Sequence, residues 1–252
     1  MTCRSSLLLA VALLFAPAVQ ADLTLVGRST QTSLNLTNQG REALYVKKNM
    51  MRRDVTERGR SYSYLYDLAK KEVTVIDHFQ RLVERHTLAT RAAGKNAGPR
   101  VDLKPTGRSH ALADWNCVEY DLNARLPADT GKEKMTLVLG GQVWLERRVS
   151  ERREVAPFIK AVDADDFFVG SATPGQPGNA QSQGINEVMR QVLFKGMLCA
   201  AEIQLNYEGD GPMADLGRRM ATHAGIVYDS VSDAAIGDEM FAIPAGYRNT
   251  GG

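Results

Sequence analysis

Tyr62-Ser63-Tyr64-Leu65-Tyr66, then Asp67-Leu68-Ala69-Lys70-Lys71, then Glu72-Val73-Thr74-Val75-Ile76 is the stretch whose reading decides the fold. Aromatic and β-branched side chains recur at every second position on both sides of a polar five-residue break. Period two marks extended chain, and a polar break between two such runs marks an antiparallel hairpin. The alternation puts Tyr62, Tyr64 and Tyr66 on one face of the first strand, and Val73 and Val75 on one face of the second. Only the hairpin register decides whether those two faces coincide.

Working outward, the same alternation appears at Leu23/Leu25, Leu34/Leu36 and Leu44/Val46 on the N-terminal side. On the C-terminal side it recurs over Cys117–Leu122, Met197–Tyr207, Ile226–Ser232 and Phe241–Tyr247. Met135–Leu139 and Gln142–Leu145 flank Gly140-Gly141, which reads as a further hairpin around a glycine turn. Helical spacing is rarer. Val155, Phe158, Ile159 and Val162 form one apolar stripe of a helix over Ser150–Val162, capped by Ser150 and started or kinked at Pro157. A second helix is expected over Ile185–Phe194. Thr90–Pro105 and the Gly-, Pro- and Gln-rich Ser171–Gly184 read as loops, and Gly209–Pro212 as a turn. The sum is an α+β chain dominated by antiparallel strands, with two or three helices that must cover a sheet face.

Residues 1–21 have a different character. Arg4 precedes an apolar run from Leu7 to Phe15, then Pro17 and the small-residue exit Val19-Gln20-Ala21. That is the pattern of a cleaved secretory signal, and the run is about half the roughly 20 residues needed to cross a bilayer. A periplasmic protein with one domain over 22–252 is expected, without a transmembrane segment. The 31 Lys and Arg against 29 Asp and Glu give no basic excess that would favour nucleic acid. Export would leave Cys117 and Cys199 in an oxidising compartment, either paired in a disulfide or as two buried thiols; the disulfide is the expectation.

Catalytic chemistry finds no motif. His78, His86, His110 and His223 lie far apart with no other ligand type at metal spacing, and read as scattered surface histidines. Asp163-Ala164-Asp165-Asp166 lacks the turn glycine of a calcium loop and reads as a solvated helix end. Gly27-Arg28-Ser29-Thr30-Gln31 has one of the two glycines of a serine-hydrolase elbow. The basic groups Lys47/Lys48 with Arg52/Arg53, and Arg147/Arg148 with Arg152/Arg153, could meet anionic lipid head groups or an acidic partner; interleaved with acids, they read as solvated charge. Neither an enzyme nor a cofactor is expected.

Several segments, in order, resemble the DUF4412 family of exported bacterial proteins. They are Tyr64–Asp77, Trp115-Asn116-Cys117-Val118-Glu119-Tyr120, Gly141-Gln142-Val143-Trp144-Leu145, Phe194-Lys195-Gly196-Met197-Leu198, and the closing Phe241-Ala242-Ile243-Pro244-Ala245-Gly246-Tyr247. The chain departs from that pattern in the insert around Ser171–Gly184, at Leu198-Cys199, and in the charge density of Arg147–Arg153. The resemblance implies a fold like that of periplasmic lipoprotein carriers (LolA-like), a curved incomplete antiparallel barrel lidded by helices. It also implies a concave face able to hold a lipid or lipoprotein acyl chain, with Tyr64, Val73 and Val75 as expected lining residues. The rival expectation is a protein-interaction module of the cell envelope whose concavity is a filled core.

Overall fold

The computed structural model describes residues 22–57, 59–88, 101–128, 133–164, 167–168 and 180–250. The signal-like segment, and most of the two expected loops, lie outside the described residues. Within them the chain runs β1 (Leu23–Ser33), β2 (Leu36–Lys47), β3 (Met50–Glu57), β4 (Arg60–Asp67), β5 (Glu72–Asp77), β6 (Leu82–Thr87), β7 (Val101–Leu112), β8 (Trp115–Pro127) and β9 (Thr136–Glu146). The helices α1 (Arg147–Ser150), α2 (Ala156–Ala161) and α3 (Ala180–Lys195) follow, then β10 (Met197–Glu208), α4 (Pro212–Arg219), β11 (Thr222–Ser232) and β12 (Arg248–Asn249).

All twelve strands form one open sheet in the order β12-β6-β5-β4-β3-β2-β1-β11-β10-β9-β8-β7, antiparallel except for the β12–β6 pair. The mainly antiparallel α+β class expected from the alternation is the class observed. The β4–β5 hairpin forms with Tyr64 opposite Val75 and Tyr66 opposite Val73. Residues directly opposite in an antiparallel pair share a face, so the tyrosine and valine faces coincide.

Two large apolar clusters stabilise the fold. One joins Leu23, Leu25, Leu44, Val46, Tyr64, Tyr66, Val73 and Val75 to Val155, Phe158 and Val162 of the α2 region. The other packs Val188 and Val192 of α3, and Ala214 of α4, on Leu122, Leu126, Leu137 and Leu145. A smaller group on β4–β6, Leu65, Ile76 and Val83, is covered by Tyr247 of the C-terminal segment.

Cys117 and Cys199 form a disulfide with α-carbons 6.2 Å apart. They sit on β8 and β10, with β9 between them. Strands two apart in a sheet are about 9.6 Å apart at ordinary spacing. The sheet reaches the shorter distance because β10 bulges there: Leu198 pairs with Leu145 and Ala200 with Trp144, leaving Cys199 as the extra residue. A bulge bends its strand, and here the disulfide fastens the bend.

Several expectations need correction. Gly140-Gly141 is no turn, because β9 runs straight through it; Gly141 has φ 151°, and a Cβ there would lie 2.0 Å from the Glu202 carbonyl oxygen of β10. The glycine serves a close strand approach. Residues 101–105 belong to β7 rather than a loop, since β7 is an edge strand where Pro105 can sit beside a register shift. The helix over Ser150–Val162 is two pieces. Glu146 caps α1, Ser150 ends it by donating to the Arg147 carbonyl, and Pro157 opens α2. Helix α3 begins at Ala180, inside the expected second loop. Phe241–Tyr247 is not a strand. A 3-10 turn over Asp238–Phe241 and Gly246 at φ 82° lead the chain to β12 along the edge of β6.

Candidate functional site

The pairings place Val75, Tyr64, Arg53, Leu44 and Leu25 in one row across β5, β4, β3, β2 and β1. Arginine is the outlier in an otherwise apolar row. It is held by the neighbouring row on the same face, where Glu42 accepts from Arg53 Nε at 2.8 Å and Nη2 at 3.1 Å. Tyr228 of β11 also donates to Glu42, at 3.0 Å, although β1 lies between their strands. The β1 residue opposite both is Gly27, which leaves the tyrosine a clear path. A Cβ at Gly27 would lie 2.3 Å from the Val227 carbonyl oxygen.

The Arg53 guanidinium stands 5.9 Å from the centroid of the Tyr64 ring. Burial works against its charge, but Glu42 more than offsets that and raises its pKa. Burial pushes the Tyr66 and Tyr228 hydroxyls well above the ordinary phenol value, so both stay protonated. Neither is poised as a base.

This face is covered. Tyr64 is 6% exposed, Val73 0% and Val75 7%, beneath Val155, Phe158, Val162 and Phe167. Tyr66 donates to the Phe167 carbonyl at 2.9 Å, and the two rings lie 4.7 Å apart. The three residues expected to line a cavity therefore meet in space, and in this structure their neighbours are protein side chains. In the sequence Phe167 shows only as a residue that breaks the calcium-loop pattern after Asp166, because nothing local ties it to a hairpin a hundred residues earlier.

The opposite face of β3–β6 carries a polar network that the sequence did not disclose. Arg52 donates from Nε to Asp54 at 2.7 Å, from Nη2 to Ser63 at 3.1 Å, and from Nη1 to the Met240 carbonyl at 2.6 Å. Ser63 donates to Asp54 at 2.6 Å and lies 2.7 Å from His78 Nε2. Its one hydroxyl proton is already given to Asp54, so Nε2–H is the donor to Ser63 and Tyr247 donates to Nδ1 at 2.9 Å. Ser63 is fully buried, which keeps its hydroxyl from any substrate despite the histidine beside it. His78 is thus no scattered surface residue; it helps tie the C-terminal segment to the sheet. The basic clusters are also engaged: Lys47 with Asp238, Arg148 with Glu146, and Arg152 with Glu154 and Asp233.

A shallow groove of about 650 Å³ lies at the middle of the sheet, bordered by Arg28, Thr30, Gln39, Arg41, Thr56, Glu202 and Val227. Arg28 and Arg41 are direct cross-strand partners, as are Arg28 and Val227. Arg28 is engaged by both oxygens of Asp229 at 2.9 Å.

No family model and no curated protein matches the chain, so the likeness to DUF4412 rests on its motifs. Among solved structures the chain is similar to a DUF1329 family protein from Desulfovibrio piger, at 8% identity over 89% of this chain and 91% of that one, with a TM-score of 0.31. It is also similar to a domain from Vibrio parahaemolyticus named for outer membrane lipoprotein sorting, at 8% identity over 89% of this chain and 90% of that one, with a TM-score of 0.29. Likenesses of that size carry no argument about what this chain does. Among the described residues, no helix is long and apolar enough to cross a membrane.

Proposed function

We propose that this protein is an exported, non-enzymatic binding protein of the periplasm that holds an apolar chain, such as a lipid or lipoprotein acyl tail, between its sheet and the α2 cover. The observation that carries the reading is the apolar and aromatic row Val73, Tyr66, Met51, Val46 and Leu23, which runs unbroken across β5 to β1 beside the row that holds Arg53, under a cover only six helical residues long. Val155, Phe158, Val162 and Phe167 each gain about 1.5 to 3 kcal/mol from burial, or roughly 6 to 12 kcal/mol together. An acyl tail of about a dozen methylenes, at about 0.8 kcal/mol each, gains a similar amount in their place. Exchanging cover for tail is then near balance, which suits reversible loading.

The close packing of Tyr64, Val73 and Val75 favours a second reading, an interaction module whose interior is permanently filled. Tyr64→Ala separates the two. For a binding cavity, the variant loses affinity for a fluorescent fatty acid by about tenfold, corresponding to roughly 1.4 kcal/mol, while remaining folded. For a filled core it loses about 3 to 5 kcal/mol of stability instead. Failure of the delipidated wild-type protein to take up the probe would end the carrier reading.

A further inference from the structure

The β1–β2 hairpin ends in a feature that its own folding does not require. Leu34 and Asn35 turn the chain with φ 50° and 61°. A two-residue turn with both φ values positive is the ordinary place for Asn-Gly, and leucine adopts that conformation rarely. Leu34 is nonetheless there, 57% exposed, with Leu36 beside it 70% exposed.

Helix α4 adds to the same end of the molecule. Its apolar residues Met213 and Leu216, and Met220 just beyond it, are spaced three and four apart and are 45%, 47% and 43% exposed. They form one outward stripe, while Ala214 packs inward and Gly217 abuts Tyr207. Ser33, next to Leu34 and opposite Leu36, donates to the Met220 carbonyl at 3.3 Å, so hairpin tip and stripe adjoin.

The charges around this apolar end include Arg28, Arg41, Arg218 and Arg219, with Asp229 and Asp215 paired to two of the four. From Ser29 to Gly40 the hairpin has no charged residue, and the cross-strand pair Arg28 and Arg41 stands at its base. Like charges directly opposite each other are unfavourable in a sheet. Asp229 answers Arg28, while Arg41 has no ion-pair partner among the described residues. On α4, Arg218 is paired with Asp215, and Arg219, exposed at the helix end, is a second cation with no ion-pair partner among the described residues. An apolar tip, an uncharged stem and arginines behind it match the layers of a membrane surface: acyl chains, then the interface, then anionic headgroup phosphates.

We infer that the β1–β2 tip and the outer stripe of α4 dock this protein onto an anionic lipid surface. The inference does not depend on whether an acyl chain is carried under α2.

The test compares the full chain with a Leu34→Asn/Leu36→Thr variant by co-sedimentation with vesicles of phosphatidylethanolamine and phosphatidylglycerol. Asparagine is at home at positive φ and threonine in a strand, so the variant should melt at or above the wild-type temperature. Its partition onto the vesicles should fall by about tenfold or more. An Arg41→Gln/Arg219→Gln variant should lose the preference for these vesicles over phosphatidylcholine, as should added salt. Undiminished partition of the leucine variant would overturn the inference. So would absence of wild-type binding, equal binding to both vesicle types, or a wild-type dimer that the leucine variant dissolves, which would assign the patch to a second copy of the chain.

Discussion

Reducing the Cys117–Cys199 bond should cost this protein a large part of its stability. The two residues are 82 positions apart, and closing a loop of that length restricts the unfolded chain by about 4.5 kcal/mol on the chain-entropy model. The native bend at Cys199 is also built into the register of β10, so the folded state need not shift to accommodate the bond. For a domain of this size about 1 kcal/mol corresponds to roughly 2 to 4 °C, giving an expected fall of about 9 to 18 °C. Thermal unfolding of the protein, followed by circular dichroism with and without reductant, measures it. Mass analysis after alkylation under denaturing conditions, without reductant, should find neither cysteine alkylated. A melting temperature unmoved by complete reduction would refute the reasoning, and alkylation of both cysteines without reductant would refute the bond itself.

Two further outcomes follow from the polar networks. Burial, with Arg52 nearby, lowers the His78 pKa below its ordinary 6.5, so the folded state favours the neutral ring. Its contribution to stability is full above that ordinary value and is lost as pH falls through the lower folded one. Protection factors against hydrogen exchange across residues 238–250, taken relative to the intrinsic exchange rate at each pH, should therefore fall on going from pH 7 to pH 5, and a His78→Gln variant should show little such change; an equal fall in both would contradict the tie to Tyr247. Glu42→Ala leaves Arg53 without its counter-charge and Tyr228 without its acceptor. It should cost about 2 to 3 kcal/mol in urea unfolding, below the roughly 3 to 5 of a fully buried pair because 39% of the Arg53 side chain is in solvent, and a loss under about 1 kcal/mol would show the pair to be incidental.

What the sequence disclosed about the fold was whatever is local. The β4–β5 hairpin was legible because both strands and the polar turn lie within eighteen residues, and the α2 stripe because Val155, Phe158 and Val162 repeat within two turns. Gly140-Gly141 misled because the reason for glycine there is a carbonyl sixty residues later, on β10. Pro105 misled because a proline is at home only on an edge strand, and edge position is a property of the whole sheet. The end of the chain was misread for the same reason: Phe241–Tyr247 alternates like a strand, yet its role is to bring Tyr247 onto Leu65, Ile76 and Val83.

The candidate site was half legible, and the missing half bears on function. Alternation marked Tyr64, Val73 and Val75 as apolar lining, and the register brings them to one face. Burial on that face is nevertheless the same for a core residue and for the wall of a closed cavity. The distinguishing property is how readily Phe158 and Phe167 leave, which is a difference between two fillings of one space. Each filling is worth about 10 kcal/mol, so a gap of only a few kcal/mol decides between carrier and filled module. Composition and periodicity record that the face is apolar; they do not record that gap. The clasp from Tyr66 to the Phe167 carbonyl contributes to it directly, at about 1 kcal/mol for an ordinary hydrogen bond. The covering residues, rather than the strands beneath them, are therefore where a carrier and a filled module of the same fold would differ.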